Sequence, residues 1–134
     1  MTRARRLCLA LAASTLLAAG GCEEKPKGDA VSVPSGREVQ FLDVITNAPG
    51  PAGATARFRF VVPDLTADDD AGADMEGLCN SYAMPRIGGM VPEIQQIVIV
   101  FADRAVPFGE SAPEAVQFFE AYSVHDGACI WELL

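Results

Sequence analysis

One short segment in the second half of the chain restricts the fold most strongly. Ile97-Val98-Ile99-Val100-Phe101 places five β-forming residues in succession, four of them β-branched, with no polar residue between them. A strand with one wet face alternates apolar and polar residues, so an unbroken run indicates a strand that is buried on both faces. We therefore expect Ile94 to Ala102 to contain the central strand of a sheet.

A hairpin is predicted before this strand. Arg37 to Asn47 is strand-like, and the prolines and glycines of Asn47 to Gly53 require a turn. Thr55 to Val62 gives the clearest period of two, because its apolar Phe58, Phe60 and Val62 alternate with Arg57 and Arg59. The predicted faces of the first strand are Val39, Phe41 and Ile45 on one side and Leu42 and Val44 on the other.

A short helix is predicted between the hairpin and the central strand. Asp74 is suited to the N-cap position, and Pro85 should end the helix. The residues between them form one apolar stripe at helical spacing: Met75, Leu78, Cys79 and Tyr82. Cys79 should therefore face the core.

The segment after the connector Asp103 to Pro113 has two readings. Ser111 and Glu114 have the spacing of a capping box, which would begin a helix through Phe119. The aromatic residues that follow favour a strand, and Asp126-Gly127 is a strong signal for a two-residue hairpin turn. We adopt a strand over Gln117 to His125.

The two-residue turn fixes a register for this terminal hairpin. It sets Cys129 opposite Val124, Trp131 opposite Tyr122 and Leu133 opposite Glu120. Together these elements predict an α+β fold in one domain, residues 37–134. Its small antiparallel sheet of about five strands, two hairpins plus one central strand, packs on one short helix in the order β-β-α-β-β-β.

The first 21 residues are typical of an export signal and are excluded from the fold. A basic start with Arg3, Arg5 and Arg6 precedes the apolar run Leu7 to Ala19, which is followed by Gly20 and Gly21. The run is shorter than the ~20 residues that a helix needs to cross a bilayer. We predict a signal peptide over residues 1–21.

The end of this signal resembles the lipobox of bacterial lipoproteins. The similarity covers Leu17 to Cys22, and it departs at Ala19, where that family prefers leucine. The resemblance implies cleavage before Cys22, a lipid on its thiol, and attachment to a membrane facing the periplasm. The alternative is an ordinary secretory signal that is cut after Ala19 or Gly21. Residues 22–36 are polar and rich in proline and glycine, which predicts a flexible tether.

The charge balance restricts the class of partner. The chain has 10 basic and 18 acidic residues, and three of the basic ones lie in the export signal. Affinity for nucleic acid comes mainly from lysine and arginine, so a nucleic-acid partner is excluded. The acids of Asp64 to Asp74 do not have EF-hand spacing, and we interpret this segment as an acidic surface loop.

The cysteines are assigned by elimination. Cys8 leaves with the signal and Cys22 carries the lipid, so Cys79 and Cys129 remain. In an oxidising compartment two remaining cysteines most simply form a disulfide. The alternatives are a zinc site that adds His125, for which the spacing is poor, and a redox pair, which normally shows Cys-x-x-Cys.

The predicted register also gives a candidate binding patch. It places Glu120 on one face with Tyr122 and Trp131, where an acid has a raised pKa unless it is paired. The arginines available to pair with Glu120 are Arg57, Arg59 and Arg104.

No catalytic pattern accompanies this patch. His125 beside Asp126 lacks a nucleophile motif, and we interpret it as a solvated residue beside a turn. No phosphate-binding glycine pattern occurs, so we predict no enzyme, no resident metal and no cofactor.

Several segments resemble a family of small exported bacterial proteins of unknown function, found chiefly in alphaproteobacteria. They are Asp74 to Pro85, Gln96 to Gly109, Gln117 to Tyr122 and Asp126 to Glu132, and the similarity spans Val39 to Leu133. The resemblance implies no activity. The leading hypothesis is an envelope lipoprotein that binds another envelope protein through a sheet edge or the candidate patch. The alternative is a periplasmic domain that binds a small ligand or metal through Glu120 or the acidic loop.

Overall fold

A five-stranded sheet with a helical layer on one face forms the protein. The computed structural model describes residues 28–46, 48 and 53–133. Its elements are β1 (Gln40–Ile45), β2 (Thr55–Val61), α1 (Gly72–Leu78), a π-helical turn (Cys79–Ala83), α2 (Met84–Ile87), β3 (Gln96–Ala102), β4 (Gln117–His125) and β5 (Ala128–Glu132). The strands lie in the order β1-β2-β3-β4-β5. The α+β class and the order of elements agree with the prediction.

The sheet is mixed, so the prediction of a purely antiparallel sheet was wrong. β2 and β3 are parallel, whereas the other three neighbouring pairs are antiparallel. The helical segment 72–87 joins β2 to β3 and returns the chain to the end of the sheet where β2 began. Strands joined by a helical crossover pair in parallel, because the connection spans the full length of the strand.

β3 is the central strand that its sequence predicts. All seven of its residues are buried. Ile97 and Ile99 belong to the main core beneath the helix, and Val98 and Val100 form a second cluster with Ala121 on the opposite face. The unbroken apolar run is therefore explained by burial on both faces.

A bulge in β1 corrects the predicted faces of that strand. The register with β2 steps from Phe41 to Asp43, which leaves Leu42 without a partner. An extra residue turns each later side chain of the strand to the opposite face of the sheet. Val44 therefore shares the helix-side face with Phe41, and Ile45 lies on the other face.

The ordered domain begins before Arg37. Asp29 and Val31 hydrogen-bond with β1 and its approach, because the amide of Val31 donates to Val39 O over 2.9 Å and that of Phe41 to Asp29 O over 2.9 Å. Val33 is buried in the core. Residues 28–36 therefore belong to the domain and are not the flexible tether predicted for residues 22–36; residues 22–27 lie outside the described part.

The helix differs from its prediction at both ends. α1 begins at Gly72 with Ala71 in the N-cap position, so Asp74 is not the cap. Asp74 is instead buried in the first turn, where its carboxylate accepts bonds from the Ser35 amide at 2.9 Å and the Ser35 hydroxyl at 2.6 Å.

Pro85 does not end the helix, which continues to Ile87. Proline lacks an N–H and its ring clashes with the carbonyl four residues earlier in a regular α-helix. The turn before it is π-helical, and the Met84 amide bonds to Cys79 O, five residues back. This wider turn accommodates Pro85 without a break.

The terminal hairpin follows the predicted register. Gln117–His125 is a strand, and Asp126 and Gly127 both have positive φ, 48° and 75°. A two-residue turn of that kind matches the twist of the flanking strands. Cys129 lies opposite Val124 and Trp131 opposite Tyr122, whereas Leu133 lies beyond the end of β5.

The N-terminal predictions concern residues outside the described part of the chain. They are the signal peptide over residues 1–21 and the lipid on Cys22. Within residues 28–46, 48 and 53–133 no helix has both the length and the apolar character that a membrane crossing requires.

Candidate functional site

Two members of the predicted patch are in contact, and the third lies beside them on the surface. Tyr122 is fully buried, and its hydroxyl donates a 2.5 Å hydrogen bond to Oε2 of Glu120. Trp131 is the cross-strand neighbour of Tyr122 and is 54% exposed. Only Trp131 and part of Glu120 can therefore be reached by a partner.

Tyr122 is a protonated hydrogen-bond donor at neutral pH. Burial raises the pKa of the Tyr122 hydroxyl well above its usual value near 10, and the bond to the Glu120 carboxylate raises it further. A group held protonated in this way cannot act as a base. Its role is to fix the Glu120 side chain from inside the core.

No arginine in the described part of the chain pairs with Glu120, so the predicted pairing with Arg57, Arg59 or Arg104 was wrong. Glu120 lies opposite Ile99 on the helix side of the sheet, whereas Arg57 lies opposite Val98 on the other side. Arg59 shares the face of Arg57, and Arg104 pairs with Asp103. Because side chains alternate between the two faces along β2, Arg57 and Arg59 lie on the face opposite to Glu120.

The acidic loop is tied to the segment that precedes β1. Arg37 forms ion pairs with Asp64 at 3.2 Å and with Asp69 at 3.0 Å. Asp69 also accepts from the Thr66 amide, and this bond and Arg37 lower the pKa of the Asp69 carboxyl. In the described ranges no three acids, cysteines or histidines lie close enough to hold a metal ion.

The helix and β5 are joined covalently. The sulfur atoms of Cys79 and Cys129 are 2.05 Å apart, so the predicted cysteine pair lies at disulfide distance. Next to it, the Cys129 amide donates a 3.0 Å hydrogen bond to Oδ1 of Asn80. The start of β5 is therefore tied to the π-helical turn through two neighbouring residues of that turn, Cys79 and Asn80.

The two edges of the sheet differ. Residues 28–33 run beside β1 and bridge it at Ala30 and Gln40. β5 pairs with β4, and no segment of the described chain pairs with its outer edge. Large apolar residues stand exposed along this edge: Ile130, Trp131 and Leu133, 50%, 54% and 84% exposed. We call this the β5 edge.

A cleft on the sheet face away from the helix was not predicted from the sequence. Its volume is about 400 Å³, and it lies between β2, β4 and the connector 103–116. Arg57 and Phe108 both line it. The strand pattern placed Arg57 on a wet face, but no local signal indicated that Phe108 folds back over that face.

These observations define a small α+β domain with a helix-covered mixed sheet, a cysteine pair between helix and terminal hairpin, and one unpaired apolar edge. The family model described as "Family of unknown function (DUF6497)" matches residues 10–134, so the chain belongs to that family. Comparison with curated proteins and with solved structures gives no match. The predicted resemblance to a family of unknown function is therefore confirmed.

Proposed function

We propose that this chain is an exported envelope lipoprotein, anchored at Cys22, whose α+β domain binds another protein in the periplasm without catalysing a reaction. The observation that carries the proposed interaction is the unpaired, apolar β5 edge. The proposed anchor rests on the sequence of residues 1–22. The proposal assigns no catalytic residue and no cofactor.

The lipid anchor explains how a domain without a membrane-spanning helix in its described part can stay at a membrane. Each buried CH₂ of an acyl chain contributes about 0.8 kcal/mol, so two or three chains on Cys22 hold the domain stably. The chain from Cys22 onward keeps 7 basic and 18 acidic residues, a net charge of −11 that repels anionic headgroups and favours a domain held off the surface.

Residues 28–33, where the described chain begins, and the β5 edge lie at opposite edges of the sheet. The chain enters the domain beside β1, and β5 is the fifth strand in the order. At a spacing of about 4.8 Å between neighbouring strands, β1 and β5 are about 19 Å apart. A protein held by Cys22 therefore keeps its β5 edge accessible.

The β5 edge carries only part of the usual protection against pairing. Exposed edges are normally protected by short length, charged residues, proline or bulges; Ala128–Glu132 is short, with five residues, but Glu132 is its one charged residue and it contains neither lysine nor proline. Ile130 and Trp131 are half-exposed on opposite faces of β5. The occupant that fits is an extended protein segment that adds a sixth strand and places apolar side chains beside these two residues.

Pre-organisation supports binding at this edge. Cys129 is fixed through Cys79, and its amide is held by Asn80. A strand that is already ordered loses less conformational entropy when a partner adds to it. The helical layer therefore holds β5 in a shape that can accept a partner strand.

The test of the interaction is recovery of a partner from solubilised membranes. The tagged wild-type chain is compared with Ile130→Lys and Trp131→Lys, and with Val91→Lys as the matched control at an exposed apolar loop position, 95% exposed. We expect one partner with the wild type and Val91→Lys, and its loss with either edge variant. No partner above background, or equal recovery with all variants, contradicts the proposal.

The test of the anchor is the intact mass of the chain purified from membranes. We expect a chain that begins at Cys22 and carries a diacylglycerol group. An unacylated chain cut after Ala19 or Gly21 contradicts the anchor and leaves the proposed interaction to be judged by the recovery experiment.

A further inference from the structure

The cleft opposite the helix is separate from the β5 edge and combines apolar and charged lining residues. Val100 of β3 and Phe119 of β4 line it from the sheet, and Val106 and Phe108 line it from the connector 103–116. Its volume of about 400 Å³ falls in the range of small-ligand pockets, which is roughly 300–1,000 Å³. Polar side chains line it as well: Arg57, Arg59, Glu110 and Gln117.

Among the described residues, Arg57 is the cation lining this cleft that no acceptor engages. The other arginines of the described part donate to an acceptor: Arg37 to Asp64 and Asp69, Arg59 to Asp43, Arg86 to Tyr82 O and Arg104 to Asp103. Arg57 has neither a hydrogen-bond acceptor nor a carboxylate at ion-pair distance among the described residues. Its guanidinium, with five N–H donors, is available to an anion.

Two half-exposed aromatic rings stand beside this cation. The Cζ atom of Arg57 lies 5.4 Å from the centre of the Phe108 ring, and that of Arg59 lies 5.8 Å from the same ring. Phe108 is 47% exposed and Phe119 is 51% exposed. The cation–π contacts orient the guanidinium of Arg57, and an apolar ligand would remove both rings from water.

The charges around the cleft favour a ligand with a single negative charge. The charge of Arg59 is balanced by Asp43, and Glu110 contributes a carboxylate to the rim. Because Glu110 already adds one negative charge to the cleft, a phosphate dianion would place two further negative charges beside it and a monoanion only one. A single carboxylate matches the one free guanidinium and its planar, two-pronged donor geometry.

We propose that this cleft binds a small organic carboxylate with a flat apolar body. The carboxylate pairs with Arg57, and the body lies against Phe108 and Phe119. The site is independent of the proposed protein interaction, because none of these residues belongs to β5.

The first test is ligand-observed NMR and calorimetry on the full chain purified from membranes, with phenylacetate and benzoate as probes. We expect both to bind, with 2-phenylacetamide and inorganic phosphate at least tenfold weaker. The amide retains the ring without the charge, and phosphate retains the charge without the ring. Equal binding of the amide or of phosphate overturns the proposal, as does absence of binding by both carboxylates at millimolar concentration.

The second test uses variants. Arg57→Gln should weaken phenylacetate at least about tenfold, as loss of a charge-assisted bidentate pair predicts. Arg86→Gln is the matched control, since Arg86 also lies over an aromatic ring, Tyr82, and has no carboxylate partner. It should leave binding unchanged.

If Arg57→Gln does not fold, Phe108→Ala tests the proposal instead. Phe108 is half-exposed in the connector 103–116, so its replacement should leave the fold intact. This variant should weaken phenylacetate severalfold. Unchanged binding in Arg57→Gln or Phe108→Ala, or an equal loss in Arg86→Gln, overturns the proposal.

Discussion

Arg57 and Arg59 lie two residues apart on the same face of β2, yet only Arg59 is fixed. Asp43 accepts from Nε of Arg59 at 2.7 Å and from Nη2 at 2.6 Å, and Val106 O accepts from Nη1 at 2.6 Å. Arg57 has no such acceptor among the described residues. Arg59 therefore fastens the connector 103–116 to the sheet, and Arg57 remains free to bind a ligand.

This difference predicts that substitutions of Arg59 and Arg57 change the free energy of unfolding by different amounts. Arg59→Met should lower the free energy of unfolding by about 1–2 kcal/mol, a value reduced because the Asp43 side chain is 41% exposed. Arg57→Met should change it by no more than about 0.5 kcal/mol. Urea denaturation gives both values, and hydrogen exchange should be faster in the connector of Arg59→Met alone. Equal effects of the two variants would refute the assignment.

The buried Tyr122 hydroxyl predicts a loss of stability in alkali. Its pKa in the folded protein is raised above the unfolded value near 10, so unfolding releases a proton once the pH exceeds that value. The stabilisation is complete below pH ~10 and falls above it, by up to about 1.4 kcal/mol per pH unit.

Denaturation curves between pH 8 and 11.5 check this expectation. Tyr122→Phe should remove most of this alkaline slope, whereas Tyr82→Phe, at a half-buried tyrosine whose hydroxyl has no acceptor among the described residues, should retain it. An identical slope in wild type and Tyr122→Phe would show that Tyr122 does not keep its proton in the folded state.

The pairing of Cys79 with Cys129 predicts a large contribution to stability. The two residues are 50 positions apart, and closing a loop of that length stabilises a protein by roughly 4 kcal/mol in the chain-entropy account. The double variant Cys79→Ser, Cys129→Ser and the reduced wild type should both lose about this amount in denaturant titrations. A reductant should not change the double variant, and a mass unaffected by reduction and alkylation would contradict the bond.

The contact between Ser35 and Asp74 predicts that residues before Arg37 stabilise the domain. Asp74→Ala removes the acceptor of two hydrogen bonds and should lower the free energy of unfolding by about 2 kcal/mol. Ser35→Ala removes the hydroxyl bond and retains the amide bond, so its cost should be about half as large. If neither substitution matters, the segment 28–36 is not held as the structure describes.

Local patterns predicted the parts of the fold that depend on neighbouring residues. The apolar run from Ile97 to Phe101 identified the central strand, and Asp126-Gly127 fixed a register in which Cys129 faces Val124. Periodicity could not reveal the bulge at Leu42, since an extra residue leaves no mark on an apolar segment. The parallel pairing of β2 with β3 follows from the helical crossover between them, whereas the hairpin signals in the sequence indicate antiparallel pairs alone.

The candidate patch and the cleft depend on contacts between residues that are far apart in the sequence, which local patterns do not show. The prediction that Trp131 shares a face with Tyr122 was correct. Tyr122 is buried beneath the helix, however, so it is not part of the accessible surface. The role of Asp74 required knowledge that Ser35 folds against the helix. The cleft at Arg57 forms only because Phe108 returns to the sheet from a connector that has no regular pattern.

The proposed interaction at the β5 edge is tested most directly by photo-crosslinking in cells. A photoreactive amino acid replaces Leu133, which is 84% exposed at the end of β5, or Val91 as the control on the loop before β3. We predict a discrete adduct with one other envelope protein from position 133 and none from position 91. Absence of an adduct at 133, the same adduct from both positions, or an adduct that contains only a second copy of this chain would contradict the account.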